Sequence, residues 1–191
     1  MKLTPIFADN NTAEGLYSVI YQGKKDEYFK IFENWDDTQY VDNYIHNNSE
    51  YLKADFFKSI TRDQIISKVH DESYRLQKLL EKFSIGNNGK YGEDLKDIFK
   101  PLENFSTVFY PRFVKLKAYT KPPKGILRVY GLKLDENVFV VTGGAIKLTK
   151  AMKDHPDTCN ELKKLDTVRK FLNDKQLSCE DDYLNLFINE P

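Results

Sequence analysis

Ile126-Leu127-Arg128-Val129-Tyr130-Gly131-Leu132-Lys133-Leu134, then Asp135-Glu136-Asn137, then Val138-Phe139-Val140-Val141-Thr142-Gly143-Gly144, is the stretch on which the fold turns. The first run is nearly continuous apolar sequence broken only by Arg128 and Lys133, which suits a central strand. The second run is apolar and β-branched, and the three residues between them make a hairpin connection. Gly143-Gly144 is expected to stop the second strand. Working backwards, Phe113-Val114-Lys115-Leu116-Lys117-Ala118-Tyr119 alternates cationic with less polar positions, as a half-exposed strand does. Pro122-Pro123-Lys124-Gly125 reads as the turn that joins it to Ile126. These segments predict a three-stranded antiparallel meander.

The sequence before the meander has a different period. Leu16 to Tyr21 is rich in β-branched and aromatic residues and is bracketed by Gly15 and Gly23, so it reads as a first strand. Tyr28, Phe29, Ile31, Phe32 and Trp35 recur at helical spacing, and Tyr40, Val41, Tyr44 and Ile45 continue the pattern on a second helix. Thr61-Arg62-Asp63-Gln64 fits a capping box. Behind it, Ile65, Val69, Leu76, Leu80 and Phe83 draw a stripe along a helix from Thr61 to Phe83, expected to pack on the sheet that holds Val129 and Val140. After the meander a helix starts near Pro156, with Leu162, Leu165, Val168 and Leu172 on its buried side. Asp181 to Ile188 fits a short last helix. The class is α+β. One domain is expected over 1–191: a strand and helical part (1–104), a basic meander (105–153) and C-terminal helices (154–191).

Composition narrows the function. The 191 residues carry 40% hydrophobic and 30% charged side chains, a globular balance that speaks against a disordered or fibrous chain. No apolar run reaches the roughly 18 residues of a membrane span, and the first residues lack an apolar leader, so a cytoplasmic protein without a membrane partner is expected. Cys159 and Cys179 have no metal-ligand spacing, and the histidines lack one too, so no metal or other cofactor is expected. No Gly-x-Ser-x-Gly elbow occurs, and Gly143-Gly144 lacks the Lys-Ser/Thr spacing of a Walker loop. Formal net charge is zero, yet Phe105 to Lys153 holds 10 basic against 2 acidic residues, net +8, while the segments before and after it are each net −4. Such a segment favours a polyanion or an acidic partner, or is neutralised internally by the acidic flanks.

Within that segment Lys115 and Lys117 are two apart on one strand and share a face. Arg128 interrupts an apolar strand, so its guanidinium must meet a carboxylate, water or a ligand phosphate. Arg112, Lys121, Lys124 and Lys150 extend the basic set as RNA-backbone contacts, and Tyr119 and Tyr130 supply surfaces on which bases stack. Gly143-Gly144 followed by Lys147 and Thr149 reads either as an anion nest or as a kink at a sheet edge.

The segments Ile126–Leu134, Asn137–Gly144 and Ile146-Lys147-Leu148-Thr149 together resemble the C-terminal sheet of RelE/HigB-type toxins, over about a third of the chain. The whole chain also resembles a bacterial set built around the same sheet with extra N-terminal helices. The resemblance implies a RelE-like antiparallel sheet, an N-terminal strand plus the C-terminal meander, packed with several helices. It implies a toxin-like, RNA-directed protein, in its enzymatic form a metal-independent, ribosome-dependent mRNA endonuclease of a toxin–antitoxin pair. Its partners would be RNA or the ribosome and a cognate helix-turn-helix antitoxin. Arg128 matches the family's strand arginine and Lys147 the first lysine of its tail, with Lys115 and Lys117 on the basic strand; these four are the candidate catalytic residues. Leu148 stands where a second lysine is expected, and Thr142 where the HigB type has histidine. A non-catalytic RNA- or protein-binding module on the same fold is the alternative.

Overall fold

The computed structural model describes residues 1–9, 12–53, 57–84, 94–102, 113–120, 125–175, 177, 182 and 185–186. In chain order these form β1 (Lys2–Ala8), β2 (Gly15–Ile20), α1 (Glu27–Asp36), α2 (Thr38–Asn47), α3 (Arg62–Ser84), α4 (Leu95–Ile98), β3 (Lys100–Pro101), β4 (Val114–Ala118), β5 (Leu127–Asp135), β6 (Val138–Ile146) and α5 (Pro156–Asp174). The class is α+β, as the residue patterns predict. The capping box is formed: Gln64 N–H donates to Thr61 Oγ1 at 3.3 Å and Thr61 N–H to Gln64 Oε1 at 2.9 Å. No described helix is long and apolar enough to cross a membrane.

The sheet has six strands in the order β1-β2-β6-β5-β4-β3. The expected meander is present as β4, β5 and β6, each antiparallel to the next. The antiparallel expectation fails at one junction, because β2 pairs parallel with β6, from Gly15↔Val138 to Ser18↔Val141. The sheet is therefore mixed. The cause is the intervening chain: the helices carry it across one face, and a crossover of that length can return a strand parallel to its starting neighbour, which a tight turn cannot. Gly143-Gly144 does not end β6 either. Pairing with β5 shifts register between Tyr130 and Gly131, a bulge that lets β6 run on to Ile146, with Gly143 at a φ of 157°.

Each face of the sheet is covered. On one, Leu116, Leu127, Val129, Phe139 and Val141 pack against α1, α2 and the Ile65, Val69, Leu76, Leu80 stripe of α3. On the other, Tyr17, Tyr130, Leu132 and Val140 pack against Leu165, Val168 and Leu172 of α5. The α3 stripe thus meets Val129 but not Val140. The two lie on adjacent strands with opposite parity, and a residue's parity decides its face. α5 begins with Pro156 at its first turn, and its cap is His155, whose Nδ1 accepts the Asp157 N–H at 3.3 Å.

Candidate phosphate-binding cleft

The register of β4 with β5 sets Lys117 opposite Tyr130 and Lys115 opposite Leu132, so these four side chains and Arg128 share the α5 face. Lys147 follows β6 and is tied to the start of β5 by its N–H, which donates to Ile126 O at 2.7 Å. The loop beyond folds back on itself: Lys147 Nζ donates to Lys150 O at 2.8 Å, Thr149 Oγ1 to Ala151 O at 2.9 Å, and Thr158 Oγ1 of α5 to Met152 O at 2.5 Å. The result is a cleft of about 420 Å³ that gathers Lys117, Arg128, Lys147, Lys150 and Lys153 around Tyr130, with Leu102, Met152 and Leu162 as apolar wall. No carboxylate lines it among the described residues.

Arg128 is only 4% exposed. Its Nη1 donates to Gly125 O at 2.7 Å and Leu127 O at 2.6 Å, and its guanidinium carbon lies 4.6 Å from the Tyr119 ring centre. No described carboxylate pairs with it, so carbonyl dipoles and a π face solvate the charge instead. Burial lowers its pKa, but a guanidinium stays protonated in proteins. Its positive charge therefore lies beneath the cleft floor.

Tyr130 is 1% exposed and its hydroxyl has no hydrogen-bond partner. Burial raises its pKa, so it stays a neutral O–H donor. A buried hydroxyl without an acceptor is destabilising by the scale of a lost hydrogen bond, and an anion oxygen bound in the cleft would supply one. Lys117, Lys150 and Lys153 have no described carboxylate partner, so an anion is also what the surrounding charge favours.

The structure divides the sequence candidates. Arg128, Lys117, Lys147 and Lys150 converge. Lys115 does not join them: its ammonium pairs with Asp166 of α5 at 2.8 Å, a partner 51 residues away that strand parity cannot reveal. Tyr130 is too buried to stack a base and contributes its hydroxyl instead, and Tyr119 stacks on Arg128. Arg112, Lys121 and Lys124 lie outside the described residues. Leu148, at the position expected to hold a second lysine, is 4% exposed and belongs to the core. Lys153 was not singled out by motif, although it falls within the +8 segment, so charge counting alone carried the signal. No protein-family model, curated protein or solved structure matches the chain.

Proposed function

We propose that the chain is a toxin-like, RNA-directed protein that binds the RNA backbone in this cationic cleft. The observation that carries the reading is the convergence of five cationic side chains and an unpartnered tyrosine hydroxyl with no described carboxylate among them. The order of elements adds support: an N-terminal hairpin, a helical block, and a meander whose last strand, β6, lies beside β2, an order that agrees with the RelE-like plan the residues resemble although the β2–β6 junction is parallel. Binding is favoured over cleavage. No histidine or carboxylate lines the cleft among the described residues, and these are the groups that most often move a proton near neutral pH. Arg128, already engaged by two carbonyls, acts as a fixed positive charge rather than a free clamp. The cognate antitoxin is, on this reading, an acidic protein that covers the same cleft.

Gel retardation of a labelled RNA at several salt concentrations tests this. Contact with three to five phosphates predicts a slope of log K against log salt of about −2 to −3.5 for a single strand. Combining Lys117→Ala with Lys153→Ala should reduce that slope by about 1.4, whereas Lys78→Ala, on the exposed side of α3 beside Glu81, should leave it unchanged. A folded protein that fails to retard RNA at low salt refutes the proposal. Cleavage is read separately in a translation mixture. If it occurs, Arg128→Ala should slow it by about two to three orders of magnitude.

A further inference from the structure

A second cleft, of about 220 Å³, opens where β2 and β6 part company. Their pairing stops at Ser18↔Val141, yet β6 continues to Ile146 with β5 on one side and, among the described residues, no strand on the other. Two side chains cover carbonyls on that free edge: Tyr21 OH donates to Thr142 O at 3.1 Å and Tyr44 OH to Ile146 O at 3.3 Å. Gly144 lies between them. Hydrogen-bonded and non-bonded pairs alternate along an antiparallel ladder. Since Lys147 N–H reaches Ile126 O, Gly144, opposite Val129, turns its N–H and C=O away from β5 toward the cleft. A β-carbon at Gly144 would come within 2.8 Å of the Trp35 ring, so the glycine lets Trp35 rest directly on the strand.

The walls carry matching polar groups. Glu161 is 5% exposed; its Oε1 accepts Lys164 Nζ at 2.7 Å, and its Oε2, set over Gly143, has no hydrogen-bond partner. Lys164 Nζ also reaches Glu27 Oε2 at 2.8 Å, and Lys30 Nζ reaches Glu27 Oε1 at 2.8 Å. Two lysines thus face the two buried carboxylates, and the half-exposed Asp157 also lines the cleft, so the lining disfavours an anion and suits a neutral ligand with hydrogen-bond donors. Asn34 lines the cleft, and Tyr40 presents a ring that is 40% exposed.

A backbone N–H beside a backbone C=O is complemented by an acceptor beside a donor, the edge a flat heterocyclic base presents. The volume is below the roughly 300–1,000 Å³ of drug-sized pockets, so it suits a single base. Gly144 and Lys147 are three residues apart along the chain, roughly 10 Å at strand rise, which is within the reach of one nucleotide from base to phosphate. We infer that this cleft takes one unpaired nucleobase, read by the Gly144 N–H and C=O and by Glu161, and stacked on Tyr40. The inference rests on the RNA-binding reading of the neighbouring cationic cleft and supplies it with a contact to bases.

Trp35 is the only tryptophan in the chain and lines this cleft, so its fluorescence reports occupancy. The probes are uridine, cytidine, adenosine and guanosine, which carry no phosphate. A saturable change with at least one nucleoside is expected. Tyr40→Ala should weaken it about tenfold through loss of stacking, and Glu161→Gln should weaken it with the circular dichroism unchanged. A protein that retards RNA but shows no nucleoside response, or one whose Trp35 responds only to inorganic phosphate, overturns the base pocket and leaves the cationic cleft standing. Nucleoside binding by a protein that does not retard RNA upholds the pocket and removes the RNA reading.

Discussion

Glu72 of α3 is a splint for the strand that carries Arg128 and Tyr130, and removing it should loosen that strand. The carboxylate is 3% exposed. Its Oε2 accepts the N–H of Ile126 at 2.6 Å and of Leu127 at 2.9 Å, and its Oε1 pairs with Lys68 at 2.9 Å. In Glu72→Ala two buried N–H groups lose their acceptor, at about 1–3 kcal/mol each. A cleft of about 250 Å³ lined by Lys68, Arg75 and Thr120 adjoins the site. Water entering from it can re-satisfy part of the loss, so the low half of the range applies and the expected cost is about 3 kcal/mol. Lys68 is partly exposed and adds little. In urea unfolding, with a slope of about 2 kcal/mol/M, the midpoint should fall by about 1.5 M. Glu72→Gln keeps an accepting oxygen and should recover roughly half of the loss. Gly125→Ala attacks the same contact from the other side, since a β-carbon there would lie 2.4 Å from Oε2. The double substitution should therefore cost clearly less than the sum of the two singles. A Glu72→Ala midpoint within about 0.25 M of wild type, about 0.5 kcal/mol at that slope, would refute the splint.

Leu76, fully buried between α3 and the sheet, should cost about 2–5 kcal/mol as Leu76→Ala with an unchanged urea slope; a cost below this range would place the stripe off the core. Glu161 has its pKa raised from 4.5 to about 7, mainly by burial and partly offset by Lys164. The folded state therefore holds the proton longer than the unfolded chain, and stability falls as pH rises from about 4.5 to about 7, by an upper limit of about 3 kcal/mol. Glu161→Gln should flatten that part of a Tm against pH profile, and superimposable profiles would contradict the assignment. Lys115, held by Asp166, and Lys117, in the cleft, should separate in RNA affinity: at low salt, Lys117→Ala weakens binding about fivefold and Lys115→Ala less than twofold. Equal losses would mean that the whole strand face, not the cleft, holds RNA.

Much of the fold was legible because local pattern and tertiary packing agree. The Thr61 and Gln64 capping box, the α3 stripe and the alternation from Phe113 to Tyr119 each encode their element within a few residues. Three features depend on partners the pattern does not name. β1 was missed because Pro5 interrupts it, and proline is tolerated there only because β1 is an edge strand. The parallel pairing of β2 with β6 depends on where a long crossover returns the chain. Gly143-Gly144 reads equally well as a stop or as a bulge, and the choice rests on how β5 shifts register opposite it. In the site, Lys147 and Lys150 are brought in by the loop after β6, whereas the shared face of Arg128 and Lys117 follows from strand parity and was foreseeable. The engagement of Arg128 with backbone carbonyls and of Lys115 with Asp166 was not, because burial and helix docking set both.

The parallel pair has a kinetic consequence. β2 lies near the start of the chain, and its neighbour β6 comes much later; the Glu14–Asn137 hydrogen bond beside the pair spans 123 residues. At a synthesis rate of 5–20 residues per second, β2 waits roughly 6–25 seconds for that neighbour to emerge. Meanwhile α1, α2 and α3 have their apolar faces ready, but Leu116, Leu127, Val129, Phe139 and Val141, which cover them in the fold, have yet to be made. The nascent chain therefore passes through a stage with exposed apolar helix faces and an unpaired strand edge, the combination most prone to aggregate. Loop closure over such a span is also slow in a complete chain. Translation speed and chaperone supply, more than final stability, should govern how much of this protein reaches its native state.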